Sequence, residues 1–273
     1  MNYIDPSINA FYVQSVEESR LKIGLGPLEF ERNKDLISRY LPASNGIIAD
    51  IGGGTGHYSM WLASLGHQVI LVDPVMKHIR QAEKRSHKSR FPFKAVLGEA
   101  RQLPLADNSV DVVILHGPLY HLQDEAERIA AIKEARRVLR IGGIVLGFAI
   151  TYAAFTLAAL QNGMIHHPDV FSMCKEELST SCHYPPDSFP GLLTQAYFHR
   201  PSTLIAEFEF AGFKPIDLLA VEGIAWIDNK YFESWSSNEQ RMRLLELVKL
   251  TEKDVELLCL SPHIMLAAEI QLF

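Results

Sequence analysis

A run of glycines directly after a short apolar segment is the feature that most restricts how this chain can fold. Residues 47–51 have the composition of a buried strand, residues 52–56 read Gly-Gly-Gly-Thr-Gly, and a helical pattern begins at Tyr58. Glycines let a backbone approach a ligand closely, and the N-terminus of the following helix attracts polar groups. The pattern therefore predicts a strand–turn–helix unit that binds a ligand at the carboxyl end of the strand.

Strand-like and helix-like segments alternate around this glycine turn. Strands are predicted at residues 47–51, 69–72, 93–97, 110–115, 144–150, 213–221 and 263–273. Helices are predicted at residues 58–65, 75–88, 124–139 and 201–211, with two more over residues 228–260. Within the last pair, Thr251-Glu252-Lys253-Asp254 resembles the capping box that begins a helix. The alternation predicts an α/β fold with a Rossmann-like, doubly wound, mostly parallel sheet and helices on both faces.

One sheet accounts for the whole pattern, so the 273-residue chain is predicted to form a single domain over residues 1–273. We expect residues 1–45 to form an N-terminal helical cap and residues 46–150 to form the ligand-binding core. Two insertions, at residues 151–200 and 223–262, are expected on the substrate side. The first insertion has a helical start and then the composition of a loop.

Charge and cysteine content restrict the partners and the compartment. The chain has 26 Lys and Arg against 32 Asp and Glu, a net charge of −6. A nucleic-acid binder usually carries the opposite sign, so a small-molecule partner is favoured over a nucleic acid. Cys174, Cys182 and Cys259 form no CxxC pair, which favours a cytoplasmic protein without disulfides. The spacings among His166, His167, Cys174, Cys182 and His183 match no zinc pattern, so no metal is predicted.

Residues 141–160 form an uncharged stretch that is long enough to cross a membrane. In the alternative interpretation, Gly142 and Gly143 form a turn and residues 144–150 form a strand buried on both faces. The second interpretation is favoured because it explains the glycines. We therefore expect no membrane association.

The glycine spacing and the strand ends indicate which kind of ligand is bound. A dinucleotide fingerprint would place its third glycine where His57 stands, which disfavours an NAD(P)-dependent oxidoreductase but leaves it as an alternative. The second strand ends at Asp73, whose carboxylate can accept the hydroxyls of a ribose. The third strand ends before Glu99 and Ala100, where a carboxylate and a backbone N–H could bind adenine.

Five motifs carry a resemblance to a known family. They are Asp50-Ile51-Gly52-Gly53-Gly54-Thr55-Gly56, the strand end Asp73, Gly98-Glu99-Ala100-Arg101-Gln102-Leu103-Pro104, Asp107-Asn108-Ser109-Val110-Asp111 and Arg137-Val138-Leu139-Arg140-Ile141-Gly142-Gly143. Over residues 47–150 the chain resembles the class I S-adenosylmethionine-dependent methyltransferases, particularly the small-molecule, type 11-like members. Glu99 stands in place of the more usual Asp, and Ile141 in place of the usual Pro. The signature of nucleic-acid amino-methylating enzymes is replaced by His116-Gly117-Pro118-Leu119, which argues against DNA bases as acceptors.

The resemblance implies a seven-stranded sheet with an antiparallel last strand, and S-adenosylmethionine as the cofactor. The residues implied to bind it are Asp50, Gly52, Gly53, Gly54, Asp73, Pro74, Glu99, Ala100 and His116, with Arg20 a candidate partner of the methionine carboxylate. The expected reaction is direct in-line displacement of the methyl group onto a small-molecule acceptor by a monomer or homodimer. For a hydroxyl acceptor, His116 and His121, the latter at the start of a helix, are the candidate bases. A non-catalytic protein that binds or senses S-adenosylmethionine remains an alternative.

Overall fold

A central β-sheet organises the chain. The computed structural model of the protein describes residues 8, 10–12 and 17–271. Its strands, in chain order, are β1 (Ile47–Ile51), β2 (Gln68–Asp73), β3 (Lys94–Leu97), β4 (Val110–Leu115), β5 (Leu139–Ile150), β6 (Cys182–His183), β7 (Ala196–Tyr197), β8 (Phe213–Ala220) and β9 (His263–Ile270). The predicted strand at the end of the chain extends to residue 273, and its last two residues lie outside the described residues.

Seven of these strands form one sheet in the order β3-β2-β1-β4-β5-β9-β8. Strands β1 to β5 are parallel, and β9 runs antiparallel to both of its neighbours. The predicted seven-stranded, mostly parallel, Rossmann-like sheet is thereby confirmed. The strand order reverses between β1 and β4, and ligands of such sheets bind at this point, outside the carboxyl ends of the strands.

Helices cover both faces of the sheet. They are α1 (Glu17–Arg20), α2 (Gly26–Ser38), α3 (His57–Ser64), α4 (Met76–Lys88), α5 (Pro118–His121), α6 (Glu125–Val138), α7 (Ala154–Asn162), α8 (Pro168–Thr180), α9 (Pro201–Phe210), α10 (Tyr231–Ser236) and α11 (Asn238–Thr251). One apolar layer includes Ile132 and Phe208, from α6 and α9. The other includes Leu36, Leu62 and Ile79, from α2, α3 and α4. Buried apolar side chains on both faces explain why the central strands are almost continuously hydrophobic.

Two local predictions are wrong. Gly142 and Gly143 do not form a turn before the fifth strand, because β5 begins at Leu139 and runs through both glycines. The pairing of β5 with β4 shifts register at this point, and Gly142 adopts the left-handed φ of +80°. Thr251 ends α11 instead of beginning a new helix, and its hydroxyl donates back to the carbonyl of Leu247. A hydroxyl that bonds to the preceding turn cannot cap the next one.

The insertion over residues 151–200 is more regular than the sequence predicts. After α7 it contains a second helix, α8, and the short hairpin of β6 and β7. The imidazole of His183 contacts the carboxylate of Glu177 across this insertion, and both side chains are fully buried. This buried pair and the hairpin order a segment whose composition is that of a loop. Among the helices of the described residues, none is long and apolar enough to span a membrane.

Candidate functional site

A cavity of about 820 Å³ opens at the carboxyl ends of β1, β2, β3 and β4. Its size is that of a pocket for a cofactor-sized ligand. The predicted site residues that line it are Arg20, Gly52, Gly53, Gly54, Asp73, Pro74, Glu99, Ala100, His116 and His121. Residues predicted separately from four strand ends and the N-terminal segment therefore line the same cavity.

The glycine turn is shaped by contacts that exclude a side chain. Gly52 has a φ of +75°, its N–H donates to the carbonyl of Val72 at 2.8 Å, and a Cβ placed on it would lie 2.6 Å from the carbonyl oxygen of His116. Gly54 also has a positive φ, of +56°. Non-glycine residues rarely adopt this backbone, so the turn needs glycine for both conformation and space. At this turn, backbone atoms without side chains therefore line the cavity.

Asp73 connects the end of β2 to this turn. Its Oδ2 accepts a hydrogen bond from the N–H of Gly54 at 2.9 Å. Its Oδ1 accepts from the N–H of Val75 at 2.9 Å and lies 3.1 Å from Nδ1 of His78. An ionised carboxylate offers about four acceptor positions, and these contacts occupy three. One acceptor position remains for a ligand hydroxyl.

Asp50 does not reach the cavity, which corrects its predicted contact with the cofactor. Its side chain is fully buried, and Oδ2 accepts from the hydroxyl of Ser59 at 2.5 Å. Burial raises the pKa of Asp50 to about 6, despite the hydrogen bond from Ser59, and the nearby charge of Asp73 adds to the rise. A Cβ on Gly53 would lie 2.7 Å from this carboxylate. Asp50 therefore packs behind the turn and holds it against α3.

Glu99 lines the cavity, and hydrogen bonds from Arg101 in the same loop hold its side chain in place. Its Oε2 accepts from the backbone N–H of Arg101 at 3.1 Å and from Nε of the same residue at 2.7 Å. The Arg101 guanidinium also contacts Glu127 at the start of α6. Glu99 is thus fixed in position before any ligand arrives.

Both predicted histidine bases line the cavity, and both are weakly basic. The pKa of His116 is lowered to about 3, mainly by burial. The charge of Glu29 opposes this shift, and the charge of Arg20 adds to it. The His116 ring stacks on Phe148 with 4.4 Å between ring centres. Burial also lowers the pKa of His121 to about 3. An imidazole this acidic can donate or accept a hydrogen bond, but it holds a proton poorly near pH 7.

The position of His121 also differs from its prediction. It is the last residue of α5, not the first residue of a helix. Its Nε2 lies 2.6 Å from the phenol oxygen of Tyr12, a residue of the N-terminal segment. Tyr12 and its neighbour Phe11 line the cavity too. The described part of the N-terminal segment therefore contributes side chains to the cavity lining.

Three ionisable residues at or behind the cavity wall, Glu29, Glu222 and His263, are absent from the sequence-based site, which includes their neighbour Arg20. Glu29 accepts from Arg20 at 2.6 Å, and Glu222 accepts from Nδ1 of His263 at 2.7 Å. Burial alone would raise the pKa of Glu29, but the charges of Arg20 and His263 lower it to about 2. Arg20 and His263 line the cavity, whereas Glu29 and Glu222 are buried behind them. One feature of the sequence could have indicated His263. The last strand is predicted to run antiparallel, so it begins at the same edge of the sheet at which the parallel strands end.

Comparisons with known proteins identify the family of the chain. A family model described as a methyltransferase domain matches residues 49–147. The chain is 37% identical over 221 residues to a malonyl-[acyl-carrier protein] O-methyltransferase of Xylella fastidiosa, covering 69% of this chain and 70% of that protein. It is 30% identical over 121 residues to a ubiquinone/menaquinone biosynthesis C-methyltransferase of Rubrivivax gelatinosus, covering 44% and 46%. A solved S-adenosylmethionine-dependent methyltransferase from Methanosarcina mazei superposes with a TM-score of 0.61 and 20% identity, covering 87% of this chain and 98% of that one.

The sheet order and the cavity at the carboxyl ends of its strands define a Rossmann-like α/β fold with a ligand-sized pocket. With the extensive match to the Xylella protein, the chain belongs to the class I S-adenosylmethionine-dependent methyltransferases. S-adenosylmethionine is its cofactor. Membership decides against the two alternatives left open by the sequence, an NAD(P)-dependent oxidoreductase and a non-catalytic binding protein.

Proposed function

We propose that the enzyme transfers the methyl group of S-adenosylmethionine to a small-molecule acceptor by direct in-line displacement. The observation that carries this proposal is the single cavity, which runs from the glycine turn past His116 to Ile150 and His263. One end has the features of a nucleoside site, and the other has room and polar groups for a second molecule. A cavity of about 820 Å³ suits two small ligands better than a macromolecular surface.

The residues at the first end fit the cofactor. The turn at Gly52–Gly54 would pack against its methionine portion, because it lines the cavity with backbone that carries no side chains. Asp73 would accept a ribose hydroxyl at its remaining position, beside Pro74, while Glu99 and Ala100 would flank the adenine. When bound, the cofactor supplies an electrophilic methyl group on a positively charged sulfur, and the protein supplies alignment and a dry site.

Arg20 is proposed to hold the methionine carboxylate, as the sequence predicts. It lines the cavity, and it also bonds to Glu29. A guanidinium has five N–H donors in a planar fork, so one arginine can serve two carboxylates. His116 would lie beside the reacting sulfur as a neutral, buried ring.

We propose that residues outside the cofactor-binding core (residues 46–150) select the acceptor. The Xylella relative is named as a malonyl-[acyl-carrier protein] O-methyltransferase, whereas the Rubrivivax relative is named as a C-methyltransferase of ubiquinone/menaquinone biosynthesis. Two relatives that both resemble this chain are thus named for methylating different atoms of their acceptors. We infer that residues 151–200 and 223–262 make this selection. A cytoplasmic location and a monomeric or homodimeric state stay predictions from the sequence.

The proposal is tested by calorimetric titration with S-adenosylmethionine, followed by a screen of carboxylic acids, phenols and amines for release of S-adenosylhomocysteine. We expect binding with one site per chain and turnover with at least one small acceptor. Failure to bind the cofactor would contradict the site assignment. Turnover only with a protein or nucleic-acid substrate would contradict the small-molecule acceptor.

A further inference from the structure

We propose that Glu222 and His263 form the proton-accepting dyad of this enzyme, with Nε2 of His263 as the general base. The acceptor it serves attacks through an oxygen or nitrogen that must lose a proton, such as a hydroxyl or an amine that arrives protonated. This inference rests on the proposed function and adds to it the identity of the base and the chemical class of the acceptor.

The geometry of the dyad fixes which ring nitrogen carries the proton. The side chain of Glu222 is 1% exposed, and its Oε1 lies 2.7 Å from Nδ1 of His263. Its Oε2 accepts from the backbone N–H of His263 at 2.9 Å and from the hydroxyl of Ser261 at 3.2 Å. An ionised carboxylate can only accept, so Nδ1 must be the donor and Nε2 the nitrogen with a lone pair. The buried glutamate is therefore a positioning residue that sets the tautomer.

The fold places this lone pair at the cavity. Glu222 lies just after β8, and His263 begins β9, directly opposite Ile150 at the end of β5. The side chain of His263 is 25% exposed and lines the cavity together with Ile150 and His116. The base thus lies on the wall beyond β4, away from the glycine turn and the predicted nucleoside site.

The charges around His263 favour proton acceptance. Glu222 faces it from the end of β8, Glu29 and Arg20 face it from the N-terminal helices, and His116 lies at the end of β4. Burial and the charge of Arg20 would lower the pKa of His263, but the carboxylates of Glu222 and Glu29 raise it above its ordinary value. His116 and His121 have the opposite shift, to about 3. Among these three cavity histidines, His263 is the one suited to take a proton near neutral pH.

The step balances without any further reagent. The O–H or N–H bond of the acceptor breaks, its proton goes to Nε2 of His263, and its electron pair forms the bond to the methyl carbon. The electron pair of the breaking carbon–sulfur bond stays on sulfur, which becomes neutral. His263 then returns the proton to solvent.

A bound cation is the competing interpretation of the same side chains. Glu29, Glu222 and His263 each offer a ligand-type atom within 4.8 Å of the others. Arg20 already neutralises Glu29, and His263 already engages both oxygens of Glu222. A divalent ion would have to displace these partners and lie beside a guanidinium, so the arrangement favours a proton site.

The test begins with nuclear magnetic resonance of the histidine rings in the full chain loaded with S-adenosylhomocysteine. The resonance of His263 is identified by its loss in His263→Gln. We expect a ring protonated on Nδ1 at high pH, and a titration midpoint that moves to lower pH in Glu222→Gln. A proton on Nε2 instead, an unmoved midpoint, or loss of the resonance on adding equimolar Zn²⁺ would each overturn the proposal.

Kinetics with an acceptor from the screen then separate a base from a structural histidine. His263→Gln should lower kcat about 10²–10⁴-fold with unchanged affinity for S-adenosylmethionine. In Glu222→Gln the rising limb of kcat against pH should move to lower pH. His87→Gln, which removes an exposed imidazole of α4, should retain the kcat and pH profile of the unmodified enzyme. A screen that yields no acceptor contradicts the proposed function only, because the resonance measurements still decide the dyad.

Discussion

Replacing Asp73 by asparagine tests the assignment of the nucleoside site most directly. Asparagine keeps the shape of the side chain but removes its charge and turns one oxygen into an N–H donor. In the structure, Oδ1 accepts from Val75 and Oδ2 accepts from Gly54. One of these backbone N–H groups must therefore face a donor in the variant. A ribose hydroxyl would also lose its charged acceptor.

The expected magnitudes follow from these contacts. A hydrogen bond to a charged group contributes about 1.5–3 kcal/mol, which corresponds to a loss of affinity for S-adenosylmethionine of about 10- to 150-fold. The unsatisfied backbone N–H should lower the free energy of unfolding by about 1–3 kcal/mol. Titration calorimetry measures the first effect, and denaturant unfolding of the free protein measures the second.

Asp111→Asn is the matched control. Asp111 lies near the amino end of β4, at the opposite edge of the sheet, and its Oδ2 accepts from the N–H of Ile47 at 2.8 Å. Its Oδ1 accepts from Arg140 at 2.8 Å. This variant should lose a comparable amount of stability and keep its affinity for the cofactor. Equal affinities for the cofactor in Asp73→Asn and Asp111→Asn would refute the assignment of Asp73.

Three further predictions concern the glycine turn, a buried ion pair and the buried carboxylate of Glu29. Gly52→Ala should abolish cofactor binding, because the new Cβ would lie 2.6 Å from a backbone oxygen and displace the turn. Gly142→Ala is its control: no atom lies within 4 Å of the new Cβ, so this variant should lose about 1 kcal/mol of stability and retain binding. Arg128→Met should lower the free energy of unfolding by about 3–5 kcal/mol, because it leaves Glu207, 2.8 Å away in the core, without its buried cation. The pKa of Glu29 is lowered to about 2, so its carboxylate should contribute about 3 kcal/mol to the free energy of unfolding above pH 4.5. This contribution is lost as the pH falls toward 2. Glu29→Gln should therefore remove this part of the acid transition.

A specific result would contradict each of these three predictions. Calorimetry that finds Gly52→Ala binding as well as Gly142→Ala would show that the turn tolerates a side chain. The Arg128→Met loss should be partly recovered when Glu207→Gln is added, and additive losses would argue against a coupled pair. An unfolding curve of Glu29→Gln that falls with acid as steeply as that of the unmodified protein would assign the transition to other carboxylates.

Much of the fold and half of the site follow from local properties of the chain. Buried parallel strands need continuous apolar segments, and a turn with positive φ needs glycine, so the strand ends at Gly52 and Asp73 could be predicted from neighbouring residues alone. The match of Ile47–Ile51 and Val110–Leu115 to their predicted bounds has the same origin. The register shift at Gly142 was not predictable, because it depends on the pairing partner in β4.

The sequence by itself determined the cofactor-binding half, and the tertiary structure decided the acceptor-facing half. The glycine turn and the carboxylate at the end of β2 lie 19 residues apart, on the ends of two consecutive parallel strands, so a strand–helix–strand pattern is enough to place them together. Glu222 and His263 lie 41 residues apart, and only the antiparallel return of β9 brings them together. Burial and neighbouring charges then lower the pKa of His116, a candidate base predicted from the sequence, and raise that of His263, which was not among the site residues predicted from the sequence. Desolvation and Coulomb interactions depend on distances through space, so no spacing along the chain reports them.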